Sequence, residues 1–336
     1  MTRNRNSYIR TGQRLIIEVV FIVLSLIACG SKPKVYHVGI LSGLDYFART
    51  ADGFKDKMSE LGYREGENIL YDMQKTQFDP PAEQKILKKF VADKVDLILS
   101  FPTEVSLEAK AAVAGTKIPL VFANANIEGV DLIRSIPEPG GNITGVRYPG
   151  LDLARKRLEI LRELAPQARR ICVFYQKGYP TVAGQLEVLR PAAASAGILL
   201  LEKPVENAAE LQAILQKRAE VNDLDMDAIL MIAEPLCVSP DAFAVLAKFA
   251  MEHKIPVGGA LMVVGSYESL FGVSTEHAAT GGQAAVLADK ILKGVPAGTI
   301  MVVSADSFLQ INYRAAQKLG LNVSEKLLSL ANEIIR

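Results

Sequence analysis

Ile136-Pro137-Glu138-Pro139-Gly140-Gly141-Asn142 divides this chain into two stretches that read alike. Two prolines and two consecutive glycines oppose both helix and regular strand, so the segment reads as a turn. Before it, short apolar runs over 35–41, 68–73, 95–99 and 118–122 predict strands. Between them, 46–61, 80–91 and 103–114 carry helical periodicity, with Gly62 ending the first and Pro80 opening the second. Strands alternating with amphipathic helices predict parallel sheet, because a parallel pair needs a helical crossover. After the turn, 143–146 resumes extended chain and the alternation restarts. Helices are expected over 151–164, 181–196, 208–219 and 240–253, and strands over 170–175, 198–202, 228–232 and 255–257. The tail adds strands at 270–273, 300–303 and 308–312, a helix over 276–292 and short final helical segments. The expected class is α/β, with two Rossmann-like lobes, parallel sheets and a hinge of several strands. Lobe 1 is expected over 35–144 plus about 274–304, and lobe 2 over 145–273 plus about 305–336. The hinge falls near 142–146 and 273–274.

The first residues have a different character. Arg3, Arg5, Arg10 and Arg14 precede an apolar run from Val19 to Ala28, followed by Cys29. A basic start, a short apolar core and a small residue before the cut describe an export signal over 1–28. The run is short for a spanning helix, which needs roughly 20 apolar residues. Leu26-Ile27-Ala28-Cys29 resembles the lipobox of bacterial lipoproteins, which implies a lipid on Cys29 and a tether over 29–34. An uncleaved anchor, or an ordinary signal peptide with a chance cysteine, is the plainer alternative.

Composition excludes several functions. Residues 1–28 hold four of the 38 Lys+Arg and one of the 37 Asp+Glu, Glu18, leaving 34 against 36 and a formal charge of −2. Nucleic acid requires a concentrated basic surface, so it is not an expected partner. His37, His253 and His277 are scattered without ligand spacing, so no metal or other cofactor is expected. Cys172 sits in an apolar run and reads as a buried small hydrophobe rather than half of a bridge to Cys237. Neither a Gly-x-Ser-x-Gly elbow nor a zinc-helix motif is present, so no catalytic residue is expected.

Several segments carry a family resemblance. They are Gly53-Phe54, Glu60-Leu61-Gly62-Tyr63-Arg64-Glu65-Gly66-Glu67-Asn68-Ile69, Lys94-Val95-Asp96-Leu97-Ile98 and Ile118-Pro119-Leu120-Val121-Phe122-Ala123. Pro139-Gly140-Gly141-Asn142-Ile143-Thr144-Gly145 is the most specific, with Lys156-Arg157-Leu158-Glu159-Ile160-Leu161 and Ala288-Asp289-Lys290-Ile291-Leu292-Lys293-Gly294 beyond it. The chain resembles the ABC-transporter substrate-binding proteins of the tryptophan- and tyrosine-uptake type, with a type I periplasmic-binding-protein fold. The resemblance implies a monomer that closes two lobes on a small solute and passes it to a membrane permease, outside the cytoplasm. An aromatic or other amino acid is the first expectation. A sensor that signals through a membrane partner is the alternative, and an enzyme is the third reading. Relatives often carry Gly-Asp-Pro after the fourth strand, where this chain has Asn126-Ile127-Glu128.

In open α/β sheets ligands bind beyond the C-terminal strand ends. The residues there are Ser42, Tyr46, Phe47, Phe101, Thr103, Asn124 and Asn126 in lobe 1, and Tyr148, Gln176, Tyr179 and Glu234 in lobe 2. Hydroxyls and a helix end suit a carboxylate, an acid suits an ammonium, and aromatic rings form a wall. Each residue has a plainer role: Thr103 as an N-cap, Tyr46 and Phe47 as packing, Glu234 as a solvated loop acid. Gly140-Gly141 precedes a strand rather than a helix, so a dinucleotide cradle is excluded.

Overall fold

A computed structural model describes residues 34–220 and 224–336; the expected export signal and Cys29 lie outside them. The first sheet takes β1 (Tyr36–Ser42), β2 (Ile69–Lys75), β3 (Leu97–Phe101), β4 (Leu120–Ala125) and β5 (Ile143–Arg147). Helices α1 (Ala48–Glu60), α2 (Pro80–Ala92) and α3 (Thr103–Val113) make the crossovers. The chain then enters α4 (Gly150–Leu164) and builds the second sheet. There β6 (Arg170–Gln176), β7 (Leu199–Val205), β8 (Ala228–Met231) and β9 (Val257–Gly259) alternate with α5 (Pro180–Ser195), α6 (Ala208–Ala219) and α7 (Pro240–His253). A small hairpin, β10 (Val263–Val264) and β11 (Tyr267–Glu268), precedes β12 (Phe271–Thr275). Next, α8 (His277–Leu292) returns to the first sheet and β13 (Val303–Ser304) joins its edge. Last come β14 (Ser307–Asn312), α9 (Tyr313–Lys318), α10 (Glu325–Leu330) and β15 (Glu333–Ile335).

The first sheet has the order β13-β5-β4-β3-β1-β2, and every pairing in it is parallel. The second has the order β15-β14-β12-β9-β8-β6-β7, with β12–β14 its one antiparallel pairing. Both sheets are covered on both faces. Phe54, Leu97, Leu99 and Ala284 belong to the core on one side of the first sheet, and Leu87, Phe90, Ile98 and Val105 to the core on the other. Leu161, Val173 and Leu186 pack on one side of the second sheet, and Phe174, Leu246 and Phe243 on the other. Cys172 and Cys237 are free and buried, and burial pushes the Cys172 thiol up to about 12 and Cys237 well above its ordinary value.

The dividing turn is held by its glycines. Gly140 and Gly141 have φ of +81° and +55°, which glycine adopts without a Cβ penalty. Gly140 N–H donates to the Gly298 carbonyl at 3.2 Å, so the turn packs on the segment before β13. That segment is a 3₁₀ turn at Ala297–Thr299, and only Val303–Ser304 pair as strand where 300–303 was expected. The reason is local: Pro296 and Gly298 turn the chain, and Val302 N–H is spent on the Ile136 carbonyl. The boundary expected at 145 also moves. Ile143 to Val146 are buried and β5 is paired on both sides, so the chain crosses only after Arg147. Likewise β12 stays in the second sheet to Thr275.

Helices α1 and α8 cross where glycines let backbones meet. A Cβ on Gly281 would fall on the Thr50 carbonyl oxygen, and one on Gly53 on the Ala278 carbonyl oxygen. Gly281→Val should therefore force the two helices apart and cost about 1–3 kcal/mol. Calorimetry checks this; an unchanged melting temperature contradicts the close crossing.

Candidate functional site

Parallel strands bring all their outgoing loops to one edge of a sheet. The chain leaves the first sheet after Arg147, leaves the second after Thr275, and crosses a last time between Ser304 and Ser307. All three crossings depart from C-terminal strand ends, so those edges of the two sheets stand toward each other. The residues after the strand ends line the space between.

Some expected site residues are brought together there. Tyr46 is half exposed, and its ring packs edge-on against Phe47 and His277 with centroids 5.0 and 4.7 Å apart. His277 Nδ1 lies 3.1 Å from the Tyr46 carbonyl. A carbonyl only accepts, which assigns the hydrogen to Nδ1. Burial lowers the His277 pKa, so the ring is neutral at pH 7. Burial raises the Tyr46 hydroxyl, Tyr148 adds to the rise and the charge of Arg157 opposes it. Tyr46 on the first lobe therefore feels two groups of the second.

Asn124 ends β4 with a left-handed φ of +49°, a conformation Asn tolerates better than most residues. Its amide donates to Thr50 Oγ1 at 2.7 Å, and Thr275 Oγ1 approaches its Oδ1 at 3.5 Å from the second sheet. Thr103 is no N-cap: its hydroxyl accepts from Asn126 N–H at 3.0 Å, tying α3 to the loop after β4. Tyr179 stands at the N-cap of α5, and its hydroxyl donates to Glu104 Oε1 at 2.7 Å across the gap. Burial, helped by Glu104, raises the Tyr179 pKa, so that hydroxyl keeps its proton.

Other expected residues are turned inward. Ser42 and Phe101 have no exposure; the Ser42 hydroxyl donates to the Leu44 carbonyl, and Phe101 belongs to the core. Glu234 is not a solvated loop acid. It is buried, and its carboxylate accepts from the N–H groups of Cys237 at 2.7 Å, Leu236 at 3.0 Å and Gln176 at 3.3 Å. It holds the turn after β8 to the end of β6, which occupies the backbone of Gln176 too. Both lobes are also laced by charge at the crossing: Arg147 pairs with Glu128 at 2.6 Å and with Asp152 at 3.4 Å.

Arg157, Glu104, Thr50, Thr275 and His277 escaped the sequence reading. The signal for Arg157 was present: α4 buries Leu153, Ala154, Leu158, Leu161 and Leu164, and Arg157 occupies the same apolar stripe. A charge in a core register is informative in a way an exposed one is not. Among the described residues no His/Cys/Asp/Glu group could hold a metal ion, and no helix is long and apolar enough to cross a membrane.

Tyr179→Phe removes the one hydroxyl bond between α5 and α3 and leaves the ring. The loss should be about 0.5–1.5 kcal/mol, or roughly 2- to 10-fold toward the open form. Small-angle scattering of the ligand-free protein should show a larger radius; an unchanged radius means the bond does not hold the lobes.

The sequence profile of the ABC transporter substrate-binding proteins matches residues 38–335. A tyrosine-binding protein of Clostridioides difficile is 31% identical over 258 residues, covering 76% of this chain and 71% of the relative. Among solved structures, an ABC domain from Streptococcus pneumoniae in complex with L-Trp superposes with a TM-score of 0.75 at 20% identity, over 90% of this chain and 100% of that one. A ligand-free, open substrate-binding protein with adhesive properties from Clostridium difficile gives 0.73 at 24% identity, covering 90% and 99%. The two parallel-dominated lobes form a type I periplasmic-binding fold. The family binds solutes outside the cytoplasm and catalyses nothing, so the chain is no enzyme. The chain belongs to the ABC transporter substrate-binding protein family.

Proposed function

We propose that the protein is a lipid-anchored receptor that captures a small solute between its lobes and delivers it to an ABC importer. The observation that carries this is the pair of facing strand-end edges, lined by Tyr46, Phe47, Tyr148 and Tyr179 and joined by three chain crossings. An aromatic amino acid is the first solute to try. The Clostridioides difficile relative is a tyrosine-binding protein, and the Streptococcus pneumoniae structure holds L-Trp. Closure about the crossings at 148–149, 275–276 and 305–306 converts binding into a shape a permease distinguishes. The lipid on Cys29 keeps a monomeric receptor beside its permease. Phe47, Thr103, Asn124 and Asn126 are proposed solute contacts from lobe 1, and Tyr148, Gln176 and Tyr179 from lobe 2; Ser42, Phe101 and Glu234 support them from inside.

A thermal-shift screen over amino acids, sugars, nucleosides and organic acids tests the reading. A solute at a hundred times its dissociation constant should stabilise the protein by about 2.7 kcal/mol, with a smaller radius by scattering. A solute that binds without shrinking the radius counts against closure. Cys29→Ser should move the protein from the membrane to the soluble fraction; retention on the membrane overturns the lipid anchor.

A further inference from the structure

Arg157 is completely buried, and among the described residues no carboxylate pairs with it. Its Nε donates to the Val273 carbonyl at 2.9 Å and its Nη2 to the Tyr148 hydroxyl at 2.6 Å. Its Nη1 is buried with no hydrogen-bond partner. Helical side chains lean toward the helix N-terminus. The guanidinium thus reaches from the second turn of α4 back to the crossing, where Tyr148 precedes that helix and Val273 lies on the strand leading to the next crossing. Its charge acts on Tyr46 in the opposite lobe. The orphan donor therefore sits at the crossing, between Tyr148 and the end of β12.

Burying a guanidinium on two neutral acceptors leaves its charge uncompensated, which is unfavourable. A carboxylate meeting Nη1 makes a charge-assisted bond and supplies the missing countercharge. The acids around the same edges each already have a partner. Asp45 holds Lys75 at 2.6 Å, Glu104 holds Tyr179, Glu128 holds Arg147, and Asp152 holds Arg155 at 2.8 Å. Glu234 caps its own turn, and Glu276 caps α8 and pairs with Arg49 at 3.4 Å. Four of these six meet a cation, while Glu104 and Glu234 meet only neutral donors; each of the six has a hydrogen-bond partner, and Arg157 Nη1 has none.

We propose that Arg157 is the receptor for the solute's carboxylate, and that the amino group is dispensable. The ligand class is then the small aromatic acids, with or without an α-amino group. This rests on the interlobe binding reading above and goes beyond it by naming which end of the solute is required.

The test uses the wild-type protein and two trios: L-tyrosine, tyramine and 3-(4-hydroxyphenyl)propionate, and L-tryptophan, tryptamine and indole-3-propionate. In at least one trio the amino acid and the deaminated acid should bind within about tenfold of each other by calorimetry, while the amine should be at least a hundredfold weaker. Arg157→Lys should cost the acids tenfold or more. Where that variant fails to fold, Tyr148→Phe leaves the arginine in place and should weaken the acids several-fold without a new affinity for amines. An amine that binds as tightly as its acid overturns the carboxylate role and leaves interlobe capture standing. A deaminated acid that fails where its amino acid binds overturns the dispensable amino group. If only neutral solutes such as sugars bind, the proposal falls while capture stands; if nothing in the whole library binds, both fall.

Discussion

Parallel pairing is the constraint from which the rest follows. A parallel strand cannot be entered by a tight turn, so a longer connection carries the chain back: a helix in most cases, the 126–142 loop between β4 and β5, and the small hairpin between β9 and β12. Every loop that leaves a strand then gathers at one edge, and here the chain also changes lobes at that edge. The single antiparallel pairing obeys the same rule. After β12 the chain visits the first lobe through α8 and β13, then re-enters the second sheet from the crossing side. A strand entering from that side must run away from it, so β14 opposes β12. The crossings thus fix both the facing edges and the mixed character of the second sheet.

The polar groups at those edges divide by what they hold. Glu234, Thr103 and Ser42 stabilise the loops that shape the space, each by bonds to nearby backbone. Asn124 with Thr275, and Tyr179 with Glu104, reach from one lobe to the other. Arg157 belongs to neither set. It ties α4 to β12 and to Tyr148, yet its charge has no counterpart inside the fold. Buried ionic groups reward a molecule only when their partners are complete. This one is incomplete at the crossing between two sheets, where a guest's charge would complete it under the proposed reading.

Much of this was legible in the residues. The 136–142 stretch marked a real turn, because prolines and paired glycines punctuate chain strongly, but the crossing lies one strand later, after Arg147. Alternating apolar runs and helical periods then gave the order of the main strands and helices. The β10–β11 hairpin was missed, although Val263-Val264-Gly265-Ser266-Tyr267-Glu268 carries a two-residue loop with Gly265 at φ +60°. Its strands are two residues each, too short for a period to show. Site residues were legible by position and not by direction. Phe101, the last residue of β3, points into the core by pleat, and Glu234, three residues past β8, turns back to cap its own loop. Arg157 was read only as part of a familiar motif, and its place on the apolar stripe of α4 passed unweighed.

The two buried cysteines carry a consequence for redox chemistry. Burial pushes the Cys172 thiol up to about 12 and the Cys237 thiol well above its ordinary value, so both stay protonated at pH 7. Oxidants and disulfide exchange act on the thiolate, so these two residues offer them almost nothing while the fold holds. Neither sulfur can then be reached by an oxidant or a second thiol until the packing around it opens, so their redox state is tied to the integrity of the second lobe.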